Sequence, residues 1–385
     1  MLLGHKIEIR PTPYQIIYLE KSFGARRHCY NQLLDYYQKD DTKWSKYDAQ
    51  KYYTNVLKKK YKWYNEVSAR VTRNSINDLD DAYQKFFKNI KCGRIPGYPK
   101  FKKRGSADSF SLREKEKFKV DGRLLRIEKL NTKIKLRQKL RFSGTVKQVT
   151  ITKRAGKYFA SFIVDTPDYN KKNINCNNSV GIDLGIKTLA VLSNGEVFNT
   201  TKNIKANIEK LKRLQRKYSK KCDGSNRKAK AKLKVDKLYF RIARQRESLL
   251  HKISDYLTAN FSTVTVEDLD IAGMASSKKT GVSISNLGLN KLRKQIEYKA
   301  ALRDCNLVVA SRWFPSSKLC SKCGAVKKDL SLADRTYSCE CGLRIDRDLN
   351  AAINLDKYGR DTLQRDPKRT QELNKTSVSA LVLTA

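Results

Sequence analysis

The stretch SVGIDLGIK, residues 179–187, predicts a short β-strand whose apolar run is broken by one acid. Because side chains alternate along a strand, Val180 and Ile182 should face one side and Gly181 and Asp183 the other. An acid flanked by glycines has open space around its carboxylate, which suits a metal ion and a phosphate that approaches the backbone. We therefore take Asp183 as a candidate catalytic residue on a buried strand.

The segments after this strand predict a mixed α/β domain. The stretch TLAVLSNGEVF, residues 188–198, predicts two strands that turn at Asn194-Gly195. Two lysine-rich helical stretches, a strand, a helix, a strand and a final helix then follow, at about 203–220, 226–260, 262–270, 288–304, 306–314 and from Asp348 onward. This order of strand, hairpin, helix, strand, helix, strand and helix is that of an RNase H-like fold.

Two further acids lie where they could join Asp183. In the strand STVTVEDLD, Val264 and Val266 should face the core, while Glu267 faces the opposite side at the strand's end. The third acid is Asp346 or Asp348, at the start of the final helix. Carboxylates from two strands and a helix would form an oxygen-rich site for two Mg²⁺ ions. Such ions activate water and stabilise the leaving oxygen in phosphodiester hydrolysis.

Each acid also has a simpler interpretation. Asp183 could be a turn residue, and Glu267 could be a solvated strand end. Asp346 could cap the helix that follows it, and this is the role we favour for it. The occurrence of all three acids in RNase H order favours a nuclease site over these separate interpretations.

Four of the nine cysteines form a late cluster. Cys320-x2-Cys323 is followed, after fifteen residues, by Cys339-x-Cys341, and a glycine follows the last cysteine of each pair. Four thiolates fill the tetrahedron of one zinc ion, so we predict a structural zinc ribbon. The alternatives are two local disulfides or thiols that hold no metal, and for an intracellular chain we favour zinc over both. We expect the other five to pack as small apolar residues: Cys29, Cys92, Cys176, Cys222 and Cys305.

The charge balance points to a polyanionic partner. Lys and Arg number 82 against 38 Asp and Glu, which gives a formal net charge of +44. Nucleic acid is the usual partner of such a chain, because binding releases the counterions of its phosphates. A membrane surface is the competing partner, but the sequence has no long apolar run and no compact basic amphipathic anchor.

The N-terminal half predicts a β-domain with a helical insertion. Residues 5–10 alternate like a strand, and a helical pattern rich in Tyr and Lys runs from Thr12 to about Phe87. Short strands follow over 109–166, with hairpin turns expected at Asp121-Gly122 and Ala155-Gly156, so we predict a small β-barrel. Residues 170–178 form a polar linker.

Several motifs together resemble the TnpB family, the transposon-encoded RNA-guided nucleases related to type V CRISPR effectors. These are VGIDLGIKTLAVLSNGE, VTVEDLDIAGM, CSKCG with CECG, and DRDLNAAINL. In the N-terminal half, RPTPYQ, YNQLLDYY, LDDAYQKFF and GYPKFKKR resemble the family's wedge and recognition segments. The resemblance covers almost the whole chain except its tail.

The resemblance implies a bilobed architecture with α/β, all-β and helical parts. A wedge β-barrel would span 1–11 and 106–169, with a helical recognition domain inserted at 12–105. A RuvC-like nuclease domain would follow the linker, and a zinc ribbon would be inserted in it. The remaining boundaries are 179–312 and 345–357 for the nuclease, 313–344 for the ribbon, and 358–385 for a basic tail whose composition is typical of disorder.

The resemblance also implies an activity. The family's RuvC-type triad corresponds to Asp183, Glu267 and Asp348, the last being the Asp of D-x-N-A-A. The chain would be a Mg²⁺-dependent endonuclease with one structural zinc ion. It would bind a guide RNA derived from the transposon end and cut target DNA beside a short adjacent motif.

A set of basic and polar residues is predicted to contact the nucleic acid. In SARVTRNSINDL, Arg70, Arg73 and Asn74 could read base edges, or contact phosphates. Many relatives have Leu-Gln where this chain has Thr72-Arg73, which leaves the adjacent motif open. In GYPKFKKR, we expect the four cations to hold the nucleic-acid backbone, while Phe101 suits a core position as well as a stacking platform. These cations are Lys100, Lys102, Lys103 and Arg104.

Three other functions compete with this interpretation. A nuclease-dead, RNA-guided repressor would have lost at least one acid of the triad. A DDE transposase would carry Glu as its last acid, whereas Glu267 is second here and Asp348 last. A non-enzymatic zinc-ribbon RNA-binding protein would not need an acid between glycines.

The N-terminus MLLGHKIEIRPTPYQ has no apolar core of a secretory signal. We expect a cytoplasmic, nucleoid-associated protein of a bacterium or archaeon, although the related eukaryotic Fanzor proteins leave a nuclear location open. The sequence leaves monomer and dimer open.

Overall fold

The computed structural model divides the chain into two compact units, Met1–Asp168 and Tyr169–Ala385. The residues it describes are 1–39, 43–95, 97–105, 108–167, 178–276, 281, 287–331 and 334–365. The predicted linker lies outside these residues except for Asn178.

A seven-stranded antiparallel sheet is the framework of the first unit. Its order, β2-β6-β7-β1-β5-β4-β3, places the N-terminal strand in the middle, and the sheet is barrel-like and nearly closed. Its strands are β1 (Leu2–Arg10), β2 (Ser109–Leu112), β3 (Phe118–Asp121), β4 (Leu124–Ile127), β5 (Ile134–Leu136), β6 (Thr145–Arg154) and β7 (Lys157–Asp165).

The predicted hairpin turns of this sheet are confirmed. Strands β3 and β4 pair across Gly122, and β6 and β7 pair across Ala155-Gly156. All three turn residues have positive φ, at 55°, 51° and 78°. The turn chemistry read from the sequence therefore fixes which of these strands are neighbours.

A helical segment is inserted between β1 and β2. Its helices are α1 (Pro13–Lys39), α2 (Lys46–Tyr52), α3 (Lys58–Lys60) and α4 (Ala69–Lys91). A π-helical turn, Tyr53–Leu57, joins α2 to α3, and a 3₁₀ turn, Lys62–Glu66, precedes α4. Helices and sheet share one apolar core, in which Phe23 of α1 packs on Phe110 of β2 with ring centroids 5.6 Å apart.

The second unit is built on a five-stranded sheet in the order β10-β9-β8-β11-β12. Strands β8, β11 and β12 are parallel, while β9 pairs antiparallel with β8 and β10 pairs antiparallel with β9. The strands are β8 (Ser179–Asp183), β9 (Ala190–Leu192), β10 (Val197–Phe198), β11 (Thr263–Glu267) and β12 (Asn306–Ala310). The described helices are α5 (Lys202–Ser219), α6 (Asn226–Asn260), α7 (Ile271–Ser276), α8 (Leu289–Arg303) and α9 (Arg347–Arg365).

The two faces of this sheet are covered by different helices. Val180, Ile182, Val264 and Val266 are buried in a core with apolar residues of α6 and α8. The opposite face, which includes Gly181, is covered by α9. The alternation expected for β8 and β11 is therefore confirmed, since the apolar valines and isoleucine share one face.

Two glycines let α9 lie directly on the sheet. A Cβ at Gly181 would overlap the carbonyl oxygen of Ala352 and the backbone nitrogen of Asp356. A Cβ at Gly359 would overlap the hydroxyl of Thr265 on β11. The helix and the strands are thus in backbone contact, which brings the first turn of α9 toward the ends of β8 and β11.

A small hairpin precedes α9, formed by β13 (Thr336–Ser338) and β14 (Arg344–Asp346). Helix α9 continues to Arg365, so residues 358–365 are helical where the basic tail was expected to begin. The helix persists because Tyr358 packs on Phe314, with ring centroids 4.7 Å apart, and Gly359 is buried on the sheet. The rest of the predicted tail lies outside the described residues.

The expectation for the five scattered cysteines is only partly correct. Cys29 and Cys305 are buried, but Cys92 and Cys222 are exposed. Cys92 caps the C-terminus of α4, and Cys222 lies in the turn between α5 and α6, where neither can reach a core. Cys176 lies outside the described residues. No described helix is long and apolar enough to cross a membrane.

Candidate active site and zinc ribbon

Asp183 and Glu267 end two neighbouring parallel strands. In the register of β8 and β11, Val266 lies beside Ile182, so the next position places Glu267 beside Asp183. Both acids belong to the strand face that α9 covers, because they alternate with the core-facing Ile182 and Val266. The sheet therefore brings together two acids that are 84 positions apart in the chain.

Asp348 lies in the first turn of α9 and completes a cluster of acids. The pKa of Asp183 is raised to about 7, first by burial and then by the negative charges of Asp348 and Glu267. The positive charge of Arg347 acts in the opposite direction and lowers the pKa of Asp183. The carboxylates of Asp348 and Glu267 are thus close enough to Asp183 to disfavour its negative charge.

The acids are suited to a divalent cation. Burial, followed by the charge of Asp268, also raises the pKa of Glu267. Like charges held together in a buried place are unfavourable, and a bound Mg²⁺ would relieve that repulsion. Carboxylate oxygens are also the ligands that Mg²⁺ prefers. The donor chemistry of these residues therefore suits magnesium, although among the described residues only the four cysteines have ligand atoms all within 4.8 Å of one another.

Asp346 caps α9, as we favoured from the sequence. Its Oδ1 accepts hydrogen bonds from the backbone N–H groups of Asp348 and Leu349, at 2.9 Å and 3.1 Å. These bonds satisfy two of the four N–H groups that a helix start leaves without intrahelical partners. The two aspartates of the sequence DRD therefore have different contacts. Asp346 caps the helix, and Asp348 has the larger of their two effects on the pKa of Asp183, which the charge of Asp346 also raises.

The late cysteines form a four-thiol cluster. The Sγ atoms of Cys320, Cys323, Cys339 and Cys341 all lie within 4.8 Å of one another. Two pairs, Cys320 with Cys341 and Cys323 with Cys339, have Sγ atoms 3.6 Å apart. A disulfide needs about 2.05 Å, whereas four thiolates about 2.3 Å from one tetrahedral zinc ion are about 3.8 Å apart. The cluster fits zinc, and the disulfide alternative does not hold.

The backbone around the cluster favours thiolates. Burial alone would raise the pKa of the Cys320 thiol, but hydrogen bonds from the backbone of Cys323 and Lys322 outweigh it and lower the pKa to about 6. Gly324 and Gly342 adopt positive φ, at 78° and 84°, and so allow the tight turns predicted for both halves of the ribbon.

Two asparagines of α9 join the ribbon to the helix, and sequence reasoning missed both. Asn350 and Asn354 are buried, at 0% and 1% exposure. Asn350 binds the backbone of Leu319 and Ser321, and Asn354 donates to the carbonyls of Ser316 and Leu319. The only sequence signal was the presence of two polar residues in the otherwise apolar stretch LNAAINL.

Some residues predicted to contact nucleic acid are held within the first unit. The Asn74 side chain donates to the Ser111 carbonyl at 2.8 Å. The Lys102 ammonium lies 3.2 Å from the Asp78 carboxylate and 3.9 Å from the centroid of the Tyr30 ring. These contacts give Asn74 and Lys102 a structural role.

The other predicted contact residues are more accessible. Arg70 forms a half-exposed ion pair with Glu114 at 3.2 Å. The remaining four are exposed: Arg73, Lys100, Lys103 and Arg104. Phe101 is 47% exposed, so it is not a core residue of the described structure.

Family models match most of the chain in three segments. A model described as "Probable transposase" matches residues 161–278, and one described as "Cas12f1-like, TNB domain" matches 290–355. The latter segment contains the four-cysteine cluster and Asp348. A "Helix-turn-helix domain" model matches residues 1–40, where the structure has β1 followed by the single long helix α1.

Similar proteins extend over nearly the whole chain. A Streptomyces pristinaespiralis protein named "Putative RNA-guided DNA endonuclease" is 31% identical over 369 residues, which cover 91% of this chain and 87% of the relative. An Escherichia coli K12 protein named "Putative RNA-guided DNA endonuclease InsQ" is 28% identical. The alignment covers 92% of this chain and 91% of that relative. A TnpB-like protein of Methanocaldococcus jannaschii is 33% identical over 49% of this chain and 72% of its own. The chain belongs to the TnpB family.

A solved structure shares the fold. It is the cryo-EM structure of a Cas12f1–sgRNA–target DNA complex, with a TM-score of 0.53 and 16% identity. The alignment covers 89% of this chain and 83% of that one.

Proposed function

We propose that the chain is an RNA-guided DNA endonuclease. A guide RNA from the transposon end would select the target by base pairing, and the protein would cut the DNA beside a short adjacent motif. The convergence of Asp183, Glu267 and Asp348 on one sheet face supports this proposal more than any other observation. The names of the Streptomyces and Escherichia relatives support it independently.

The second unit would be the nuclease, with an RNase H-like fold of the RuvC type. Its strand order, an antiparallel β8-β9-β10 meander with β11 and β12 parallel to β8, supports this assignment. In the first unit, the barrel-like sheet would be the wedge and the helical insertion the recognition domain.

The triad would hold two Mg²⁺ ions, which supply water activation and stabilisation of the leaving oxygen when bound. Asp183 and Glu267 offer carboxylates from a rigid sheet, and Asp348 offers a third from the helix above it. Arg347, whose positive charge acts on Asp183, would favour the ionised form of that acid. The buried face beneath α9 limits the water that can screen these charges.

The basic surface supports a nucleic-acid partner. A net charge of +44 would make the free protein bind polyanions without selectivity, and a bound guide RNA would neutralise much of it. Exposed Arg73, Lys100, Lys103 and Arg104 are the contacts we propose on the first unit, together with half-exposed Arg70. Specificity would then come from base pairing with the guide.

The test is single substitution of each acid. In Asp183→Ala, Glu267→Ala and Asp348→Ala we expect loss of Mg²⁺-dependent cleavage, while guide-directed DNA binding persists. A cleavage assay on labelled duplex and a gel-shift assay with the same complexes would measure both. Full cleavage by any one of the three variants would contradict the site assignment.

Asp346→Ala is the matched control, because it removes a neighbouring carboxylate of the same type. It should lower the free energy of unfolding by about 1 kcal/mol through the lost helix cap, and leave measurable cleavage. Loss of cleavage equal to that of Asp348→Ala would show that the two aspartates have been assigned to the wrong roles.

A repressor without nuclease activity is the second candidate. The presence of all three acids in one cluster speaks against it. Guided binding without cleavage by the wild-type protein, at any Mg²⁺ or Mn²⁺ concentration, would support the repressor instead.

A further inference from the structure

We propose that Asn350 is a positioning residue that fixes the first turn of α9 to the zinc ribbon and thereby holds Asp348 in place. The proposal rests on the proposed nuclease function and deepens it. Contacts with the zinc ribbon would then help to position an acid of the magnesium site. Three sets of contacts support the proposal, together with the lack, among the described residues, of a side-chain contact that would hold Asp348 itself.

Asn350 holds the ribbon through both ends of its amide. Its Oδ1 accepts a hydrogen bond from the Ser321 backbone N–H at 3.0 Å, and its Nδ2 donates to the Leu319 carbonyl at 2.7 Å. These two backbone groups flank Cys320, the first cysteine of the cluster. Because Asn350 is fully buried, water cannot replace either bond.

Arg347 holds the same helix turn from the other side of Asp348. Its backbone N–H donates to the Arg335 carbonyl at 2.8 Å, and its guanidinium donates to the Ser331 carbonyl at 2.6 Å. Both acceptors lie between the two cysteine pairs of the ribbon. Arg347, before Asp348, and Asn350, two residues after it, are therefore both attached to the ribbon.

The chain itself makes a third connection. Strand β14 begins three residues after Cys341 and leads into α9 without a loop. Asp346, the last residue of β14, caps the helix through the N–H groups of Asp348 and Leu349. A displacement of the ribbon hairpin would therefore move the helix start.

Asp348 has no comparable restraint of its own. Within the part of the chain that the structure describes, its carboxylate makes no hydrogen bond or ion pair with another residue. Its position is consequently set by the helix turn to which it belongs. The position of that helical turn is fixed by Asn350, Arg347 and the Asp346 cap.

The consequence is a coupling between the two metal sites. If the ribbon contact is lost, the first turn of α9 samples more conformations, and only a fraction of them present Asp348 to Asp183 and Glu267. The apparent Mg²⁺ dissociation constant rises by the inverse of that fraction, so a fraction of about one tenth would raise it about tenfold. The maximal rate at saturating Mg²⁺ should change little, because the acids themselves remain.

The first test is a Mg²⁺ titration of cleavage by the guide-loaded full chain. In Asn350→Ala we expect the midpoint to rise about tenfold with a largely unchanged rate at saturation and an unchanged content of one zinc ion. A residue that only stabilised the fold would lower the amount of active protein without moving the midpoint. An unmoved midpoint would overturn the proposal.

Asn354→Ala is the matched control. Asn354 is the same residue type, is equally buried, and also donates to ribbon carbonyls, but it lies one helical turn further from Asp348 and binds only Ser316 and Leu319, before the cluster. We expect a lower melting temperature with little shift in the Mg²⁺ midpoint. An equal shift in both variants would overturn the specific role of Asn350.

A second measurement does not depend on cleavage. Hydrogen–deuterium exchange of the full chain bound to its copurified RNA, without Mg²⁺ or target, reports the opening of the Asp348 and Leu349 amides. In Asn350→Ala these amides should exchange at least about tenfold faster, with the amides of β8 and β11 unaffected. Unchanged exchange would refute the proposal even in an active nuclease. If the Asp348 and Leu349 amides exchange faster in Asn350→Ala but the wild-type protein never cleaves DNA, the positioning role of Asn350 is supported and the proposed nuclease function is refuted.

Discussion

At the residue scale, the chemistry of this protein depends on how neighbouring aspartates are surrounded. Asp346 and Asp348 are separated by one residue, yet one accepts two backbone N–H groups and the other lies in a cluster of acids. The periodicity of a helix start does not distinguish them, because either acid suits the first turn. The position of the strands beneath α9 makes the difference.

Asp78 is a second acid whose role depends on its surroundings. It accepts hydrogen bonds from the Arg26 guanidinium through both oxygens, each at 2.6 Å, and lies 3.2 Å from Lys102. Burial alone would raise the pKa of Asp78, but Arg26 and then Lys102 outweigh it and lower the pKa. A folded pKa below the unfolded one means that this acid stabilises the fold above the unfolded pKa, and that the stabilisation is lost as the pH falls through the folded pKa.

We therefore predict that Asp78→Asn destabilises the first unit at neutral pH. The variant leaves two cations without their partner, which should cost about 3 kcal/mol. Urea denaturation should show this difference at pH 7. The difference should shrink as the pH falls from about 4, where the acid of the unfolded chain becomes protonated, through the lower folded pKa. Asp35→Asn, which breaks an exposed ion pair with Lys39 on α1, is the control and should change stability far less.

At the element scale, α9 is the helix on which both proposed metal sites depend. It covers the sheet face that carries Asp183 and Glu267, and its first turn is hydrogen-bonded to the ribbon through Asn350. Gly181 is what allows the close contact, since a side chain there would meet backbone atoms of Ala352 and Asp356.

Gly181→Ala should accordingly displace α9 from the sheet. The added methyl group meets backbone atoms, which cannot turn away as a flexible side chain can, so we expect a loss of about 3 kcal/mol and strongly reduced cleavage. Thermal denaturation and the cleavage assay would measure both effects. Gly4→Ala in β1 is the matched control, because a Cβ there has nothing within 4 Å. Equal stability of the two variants would show that α9 does not need this close approach.

The sequence predicted most of these elements but not their connections. Alternation in SVGIDLGIK and STVTVEDLD placed Asp183 and Glu267 on the correct strand faces, and the glycine-containing turns located the hairpins. Asn350 was missed because its partners, Leu319 and Ser321, lie about thirty residues away and no periodicity links them. The contact of Gly181 with α9 is likewise a tertiary contact, which a local pattern does not contain.

At the scale of the whole molecule, charge dominates. With 82 basic residues against 38 acidic ones, the chain should hold nucleic acid mainly through phosphates. Composition alone indicated the type of partner. It did not indicate which lysines are available, because ion pairs such as that of Lys102 with Asp78 form only in the folded unit.

We predict that binding to DNA of random sequence falls steeply with salt. If about 6–10 phosphates are contacted, affinity should drop about 10³- to 10⁵-fold between about 50 and 200 mM salt. Fluorescence anisotropy would measure this for the protein before and after it is loaded with its RNA. Loading should weaken the random-sequence binding, because the RNA already occupies much of the basic surface. Equal binding by the loaded protein would contradict that account of its selectivity.

The strand order described above has a consequence for the making of the protein. The three acids are contributed at positions 183, 267 and 348 of a chain of 385 residues. A growing chain can complete the first unit and much of the sheet of the second while it still lacks the acid on α9. Under the proposed function, a copy that ends before α9 would therefore lack Asp348 and could not cut DNA.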